Sequence, residues 1–251
     1  MTGSQYFAGL DLGQSGDYTA LAVLERVELV GKWDPAKYAF QKMAGLRLRY
    51  LERVPLGTPY PEIVKKVREI TRSAELRGRC SLMVDATGVG RPVVDLLREA
   101  DLDCAILAAV VTGGHTETHS GGYYHVPKKD LITGLQTYLQ RGGLRIARGV
   151  ALYESLIEEM SQMRVKVSDA GHESFGAWRA GEHDDLVFAV ALAGWGAKKR
   201  SYPVVGDDGV WRFVGELGGE WKCEGSGHVP GYHGAGNRGE TQGLLTSPFS
   251  R

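Results

Sequence analysis

The chain lacks the features that would put it in a membrane, an oxidising compartment or an ATP-driven motor. No segment of its 251 residues approaches the roughly 20 uninterrupted apolar residues that span a bilayer. The N-terminus has no basic stretch followed by an apolar one, so neither export nor membrane insertion is expected. The three cysteines, Cys80, Cys104 and Cys223, show no C-x-x-C spacing. The first two lie in apolar runs, where cysteine behaves as a small buried hydrophobe, and a reducing cytosol suits them. No G-x-x-x-x-G-K-[ST] phosphate loop occurs, so this chain does not itself drive translocation by ATP hydrolysis. Thirty basic residues balance thirty acidic ones, and global charge therefore argues neither for nor against a polyanionic partner.

What is present is enough apolar content, 43%, for one full core of roughly 200 residues plus extras. Periodicity predicts strands at Tyr6 to Asp11, Tyr18 to Val27 and Leu46 to Pro55, the first two joined by the GQSG turn. TPYPE opens a helix with Ile63, Val64, Val67, Ile70 and Ala74 on one face, capped at Thr58 or its neighbours. Cys80 to Asp85 and Cys104 to Val111 are continuous apolar strands separated by a helix through Val93, Val94, Leu96 and Leu97, an arrangement that implies a right-handed crossover and parallel pairing. Thr112 to Pro127, rich in Gly, His and Thr, reads as a long functional loop. Helices follow at Lys128 to Gln140 and Val150 to Met163, a hairpin at Val165 to Trp178, and a strongly apolar helix from about Asp184 to Lys198. Three antiparallel strands followed by two parallel ones alternating with helices predict an α/β mixed sheet, five-stranded or larger, covered on both faces.

Four carboxylates stand out within this frame: Asp11 in GLDLG, Asp85 in LMVDATGVG, and Asp184 and Asp185 in EHDDLVFAVALA. Acids beside the ends of buried elements are costly to desolvate unless something positive compensates them, and their own motifs hold no basic residue, which suggests a metal. Each motif also has a plain structural use. Asp11 suits a turn, Asp85 a helix cap, and Asp184 with Asp185 a helix dipole. Those plain uses would have to hold three times over.

The order of elements, with acids on the first strand, at the end of the fourth and on the closing helix, resembles the RNase H-like nuclease fold. More closely, it resembles the nuclease domain of the large terminase subunit of tailed bacteriophages. The residues that carry the likeness are GLDLGQSGDYTALAV (9–23), LMVDATGVGRPVVDLL (82–97), VTGGH (111–115), VPKKDLI (126–132) and GEHDDLVFAVALA (181–193), spanning roughly residues 5 to 200. The resemblance implies a DNA endonuclease using two Mg²⁺ or Mn²⁺ ions, hard cations that take oxygen ligands. It carries over Asp11 as the bridging ligand, Asp85 as ligand of one ion, and Asp184 or Asp185 as ligand of the other. Successive helical residues point about 100° apart, so those two are not equivalent, and the sequence leaves the choice open. Asp17 is expected as an auxiliary acid near the site, and His183 as a group supporting the ligands, an occasional ligand or a partly exposed neighbour. Gly113, Gly114, Lys128 and Lys129 are expected near the DNA backbone. The implied partners are double-stranded DNA, an ATPase domain or subunit, a small terminase subunit and a portal, in the cytoplasm of a bacterial host. Whether the chain is a stand-alone gene product or a domain of a longer protein stays open.

His115, Glu117, His119 and His125 invite a zinc assignment, but H-x-E-x-H is not the H-E-x-x-H helix signature and a Gly-rich loop fixes no tetrahedral geometry. From Ser201 onward the composition changes. VVGDDGVWRFVGE suggests a small hairpin, and the Gly-rich stretch after it has too little apolar content to offset ordering entropy, so residues 201–251 are expected to form a mostly flexible extension of a 1–200 nuclease domain. Two other functions share the fold: a Holliday-junction resolvase, and a non-catalytic DNA-binding or motor-docking module. The GEHDDLVFAVALA ending and the VTGG loop favour the terminase reading over the resolvase.

Overall fold

The computed structural model describes residues 5–13, 16–36, 38–88, 91–167, 173–176, 183–199, 203–205 and 211–213. The chain divides into two compact units, Met1–Ala197 and Lys198–Arg251. In the first, strands β1 (Tyr6–Asp11), β2 (Thr19–Asp34) and β3 (Ala39–Val54) lead to helix α1 (Tyr60–Thr71). Then come β4 (Cys80–Asp85), α2 (Arg91–Glu99), β5 (Ala105–Thr112), β6 (Thr118–Ser120), β7 (Tyr123–Pro127), α3 (Lys128–Gln140), β8 (Leu144–Ile146) and α4 (Tyr153–Gln162). The short antiparallel pair β9 (Arg164–Val167) and β10 (Glu173–Gly176) precedes α5 (Asp185–Lys199). In the second unit, β11 (Pro203–Val205) pairs antiparallel with β12 (Trp211–Phe213). The Gly-rich stretch beyond it lies outside the described residues.

Eight strands form one mixed sheet in the order β6-β7-β5-β4-β1-β2-β3-β8. β1, β4, β5 and β7 run parallel, β2 and β6 oppose their neighbours, and β3 pairs antiparallel with β2 and parallel with β8. The two-residue period of a strand assigns the faces. Phe7, Ala20, Leu48, Met83, Leu107 and Ala109 form one core with residues of α3, α4 and α5. Ala108, one residue out of phase, packs on the other face with Val94 of α2. The sheet is therefore covered on both sides. Every residue of α5 from Asp185 to Ala197 is buried. A helix apolar all round belongs at the centre of a core, and small residues let it lie directly on the sheet. A Cβ on Gly9 would fall 2.7 Å from the Ala193 nitrogen and closer still to the Ala189 carbonyl oxygen.

The structure departs from the sequence reading at β8 (Leu144–Ile146), which was not expected, in the β2–β3 hairpin and in the stretch 112–127. β2 and β3 continue to Asp34 and from Ala39, well past Val27 and before Leu46. This extension is exposed at Val30, Trp33, Tyr38 and Phe40 and holds together by edge-on ring contacts at 5.1 Å, so burial leaves no alternating signal there. The stretch 112–127 is not one loop but contains the β6–β7 hairpin. Its Gly121-Gly122 turn has positive φ at both residues, 58° and 80°, the requirement of a type I′ turn that glycine meets without strain. At α1 the cap position is Pro59, the neighbour of Thr58 as expected, but with no side-chain hydrogen bond, and Thr58 donates to the Pro55 carbonyl at 2.7 Å.

Candidate active site

Strand alternation aims the first two acids. Phe7, Gly9 and Asp11 share the β1 face that meets α5, and Met83 and Asp85 share the corresponding face of β4. The strands are parallel with Leu10 opposite Val84, so Asp11 and Asp85 stand side by side at neighbouring carboxyl ends. Asp85 accepts the Thr87 N–H at 2.7 Å, and the Thr87 hydroxyl accepts the Val111 N–H at 2.7 Å, which ties the residues after β4 to β5. α5 starts at the same end of the sheet. Asp184 immediately precedes it, and its carbonyl accepts the Phe188 N–H at 2.9 Å as the first helical bond.

The carboxylates sense one another. Burial, followed by the negative charges of Asp85, Asp184 and Asp185, holds the Asp11 carboxyl well above the usual range, against the lowering influence of Lys128. Burial also raises Asp85, opposed by its Thr87 hydrogen bonds and by Lys128. The sequence shows no basic partner within the acidic motifs, but the fold brings two from elsewhere. Lys128 Nζ lies 3.6 Å from Asp184 Oδ2 and 4.2 Å above the Phe188 ring. Arg53, at the end of β3, grips Asp185 with both arms of its guanidinium, Nε to Oδ2 at 2.8 Å and Nη2 to Oδ1 at 3.2 Å. The same Nη2 donates to Glu159 Oε1.

Glu159 completes a network behind the site. Its Oε2 accepts the backbone N–H of Leu186 at 3.1 Å and of Val187 at 3.2 Å, two of the donors a helix start leaves unpaired. Burial, then the Asp185 charge, pushes its carboxyl up to about 7 despite Arg53 and the two N–H donors. The Arg53 guanidinium also lies 5.0 Å over the Tyr18 ring, which meets the His183 ring edge-on at 5.0 Å. Asp185 is 6% exposed and fully engaged, whereas Asp184 has a half-buried side chain near Lys128. The two adjacent acids therefore differ in surroundings.

Other candidate residues are dispersed. Asp17 is exposed and lines a cleft with Gly13, Thr19, Thr58 and Tyr60. Gly113, Gly114 and Lys129 are exposed, on the segment after β5 and at the start of α3. Glu117 accepts the Trp195 Nε1–H at 3.1 Å, the His119 ring meets that of Tyr124 tilted at 4.4 Å, and Ser120 Oγ meets His125 Nε2 at 3.1 Å, so three of the four zinc candidates have other partners. Among the described residues no three His, Cys, Asp or Glu side chains are close enough to hold an ion as they stand. Asp184 and Asp185 are drawn instead to Lys128 and Arg53. The donor set around Asp11 nonetheless fits a divalent cation in its chemistry: hard oxygen ligands, several like charges, and a central carboxyl raised by burial and then by the neighbouring carboxylates. Arg53 and Glu159 were missed in the sequence. Glu159 left one clue, an acid three residues after Leu156 on the buried face of α4. Arg53 left none, since 132 residues separate it from Asp185.

No protein-family model matches the chain, and no curated protein matches it. Solved structures do. The large terminase nuclease from thermophilic phage G20c, with bound magnesium, is 20% identical with a TM-score of 0.51, covering 78% of this chain and 82% of that one. A second structure of that nuclease gives 19% identity, TM-score 0.49 and coverages of 76% and 81%. The large terminase nuclease domain of bacteriophage SPP1, with bound manganese, gives 12%, 0.46, 77% and 86%. The chain has the fold of a large terminase nuclease domain.

Proposed function

We propose that the protein is a two-metal-ion endonuclease that cuts double-stranded viral DNA during genome packaging, with Mg²⁺ or Mn²⁺ as cofactor. The observation that carries this reading is the convergence of Asp11, Asp85 and Asp184 at one end of the sheet, close enough that, after burial, the neighbouring negative charges also raise the Asp11 carboxyl. Bound divalent ions lower the pKa of an attacking water and stabilise the leaving oxygen in phosphodiester hydrolysis. Asp11, central to the cluster, would bridge the ions; Asp85 would hold one and Asp184 the other. Lys128, already beside Asp184, would give the incoming phosphate a positive contact, and Lys129, Gly113 and Gly114 would meet the backbone on either side. None of the motifs forms a groove-reading element, so cutting would depend little on base sequence, and targeting would fall to an ATPase domain or subunit, a small terminase subunit and a portal.

Nicking and linearisation of supercoiled plasmid by wild type and Asp11→Asn, each with Mg²⁺, Mn²⁺ or EDTA, tests this. Cleavage by wild type alone, lost in EDTA, is expected. Equal cleavage by both proteins removes Asp11 from the site, no cleavage by either favours a docking module, and a preference for four-way junctions over linear DNA favours a resolvase.

A further inference from the structure

Arg53 makes more polar contacts to the rear of the carboxylate cluster than any candidate residue read from the sequence. It forks onto Asp185, donates to Glu159 and packs over Tyr18, while Glu159 holds the N–H groups of Leu186 and Val187. One side chain of β3 thereby fixes α4 and the first turn of α5 to the sheet. We propose that Arg53 is a positioning residue: by engaging Asp185 and Glu159 it fixes the start of α5 so that Asp184, not Asp185, is the metal ligand beside Asp11 and Asp85. The inference rests on the metal-dependent reading above.

The chemistry favours this division. A carboxylate held by both arms of a guanidinium has each oxygen engaged in a planar, charge-assisted hydrogen bond that fixes its orientation, and turning it to another ligand would leave Arg53 facing Glu159 alone. Asp184 faces Lys128, a compact charge on a flexible stem that can swing aside when a cation arrives. Groups that orient metal ligands from behind typically carry 10- to 100-fold in metal affinity.

The test measures Mn²⁺ binding by calorimetry on the full chain without DNA, together with Mn²⁺ activation of plasmid cleavage. Wild type, Arg53→Met, Arg53→Lys, Asp184→Asn and Asp185→Asn are compared. Arg53→Met should weaken Mn²⁺ binding about 10-fold or more and raise the half-activating Mn²⁺ concentration by the same factor, with kcat at saturating Mn²⁺ nearly recovered. A merely structural role would lower the active fraction at an unchanged half-activating concentration. Arg53→Lys keeps the charge but not the fork, so it should fold and fall between the two; it carries the test if Arg53→Met does not fold. Asp184→Asn should cost more affinity than Asp185→Asn. Unchanged affinity in both Arg53 variants, or the reverse order for the two aspartates, overturns the inference while leaving the metal reading standing. Failure of the wild type to bind Mn²⁺ overturns both.

Discussion

Replacing Gly9 by alanine should disrupt the contact between β1 and α5 on which the site is built. The added methyl would sit 2.7 Å from the Ala193 nitrogen and 3.1 Å from the Ala189 carbonyl carbon, with the Ala189 oxygen nearer still. Comfortable contacts begin near about 3.5 Å, so strand and helix must part by about 1 Å. Overpacking costs roughly 1–3 kcal/mol, and with backbone obstructing on both sides the upper end, about 3 kcal/mol, is expected. In a chain of this size that corresponds to a fall of roughly 6–12 °C in melting temperature. Gly196→Ala is the matched control. The three atoms nearest its methyl all belong to the buried Met83 side chain, with Sδ and Cε closer than Cγ at 2.6 Å, so a side chain rather than backbone must give way. Repacking a buried side chain costs roughly 1–3 kcal/mol and about 1 kcal/mol of helix propensity offsets part of it, so Gly196→Ala should be clearly less destabilising than Gly9→Ala. Urea and thermal unfolding of the two variants give the comparison, and cleavage measured well below either melt reports whether displacing α5 also moves Asp184. A Gly9→Ala protein as stable as wild type, or a Gly196→Ala protein equally damaged, would refute the steric reasoning.

Further outcomes follow from the electrostatics. The carboxyls of Asp11, Asp85 and Asp185 are raised in the folded state, and Glu159 is raised to about 7. The fold therefore holds more protons than the unfolded chain, and the stability these groups contribute is full below their unfolded pKa values near 4 and lost as pH rises through the folded ones. Urea midpoints of the metal-free protein should fall between pH 5 and 7.5, and Asp11→Asn should flatten that fall; a steeper fall in the variant would contradict the sign. At pH 7.5 without metal, Asp11→Asn and Asp85→Asn should match or exceed wild type in melting temperature while losing metal-dependent cleavage, because each removes one member of a like-charge cluster. A sharp drop in stability for both would mean structural roles instead. Lys128→Met should destabilise the metal-free protein modestly, by about 0.5–1 kcal/mol since the pair is partly exposed, and excess Mg²⁺ should reverse that loss. If Mg²⁺ has no effect on the variant's melt, Lys128 is not a counter-charge to the cluster.

The sequence revealed the parts of this molecule that are set by local pattern. β1, β4 and β5 are continuous apolar runs, α5 is apolar all round, and each acid sits at the end of its own run, so the strand-end positions of Asp11 and Asp85 could be read directly. The choice between Asp184 and Asp185 could not, because it depends on Arg53 and Glu159, 132 and 27 or fewer residues away along the chain. Hydrogen-bond partners at that separation leave no periodic trace. The outer half of the β2–β3 hairpin was illegible for another reason. With Trp33, Tyr38 and Phe40 exposed, no buried face imposes the alternation by which a strand is recognised. The Gly121-Gly122 turn, by contrast, was a legible hairpin signal obscured by the glycine and histidine content around it.

The most direct test of the central claim is a calorimetric titration of Mn²⁺ into the metal-free protein, wild type against Asp11→Asn, in buffers of different ionisation enthalpy at neutral pH. Saturable binding by wild type, with proton release as the raised Asp11 carboxyl ionises, and its loss in Asp11→Asn are expected. Equal binding by both proteins, or none by either, would contradict a metal centre gathered around Asp11.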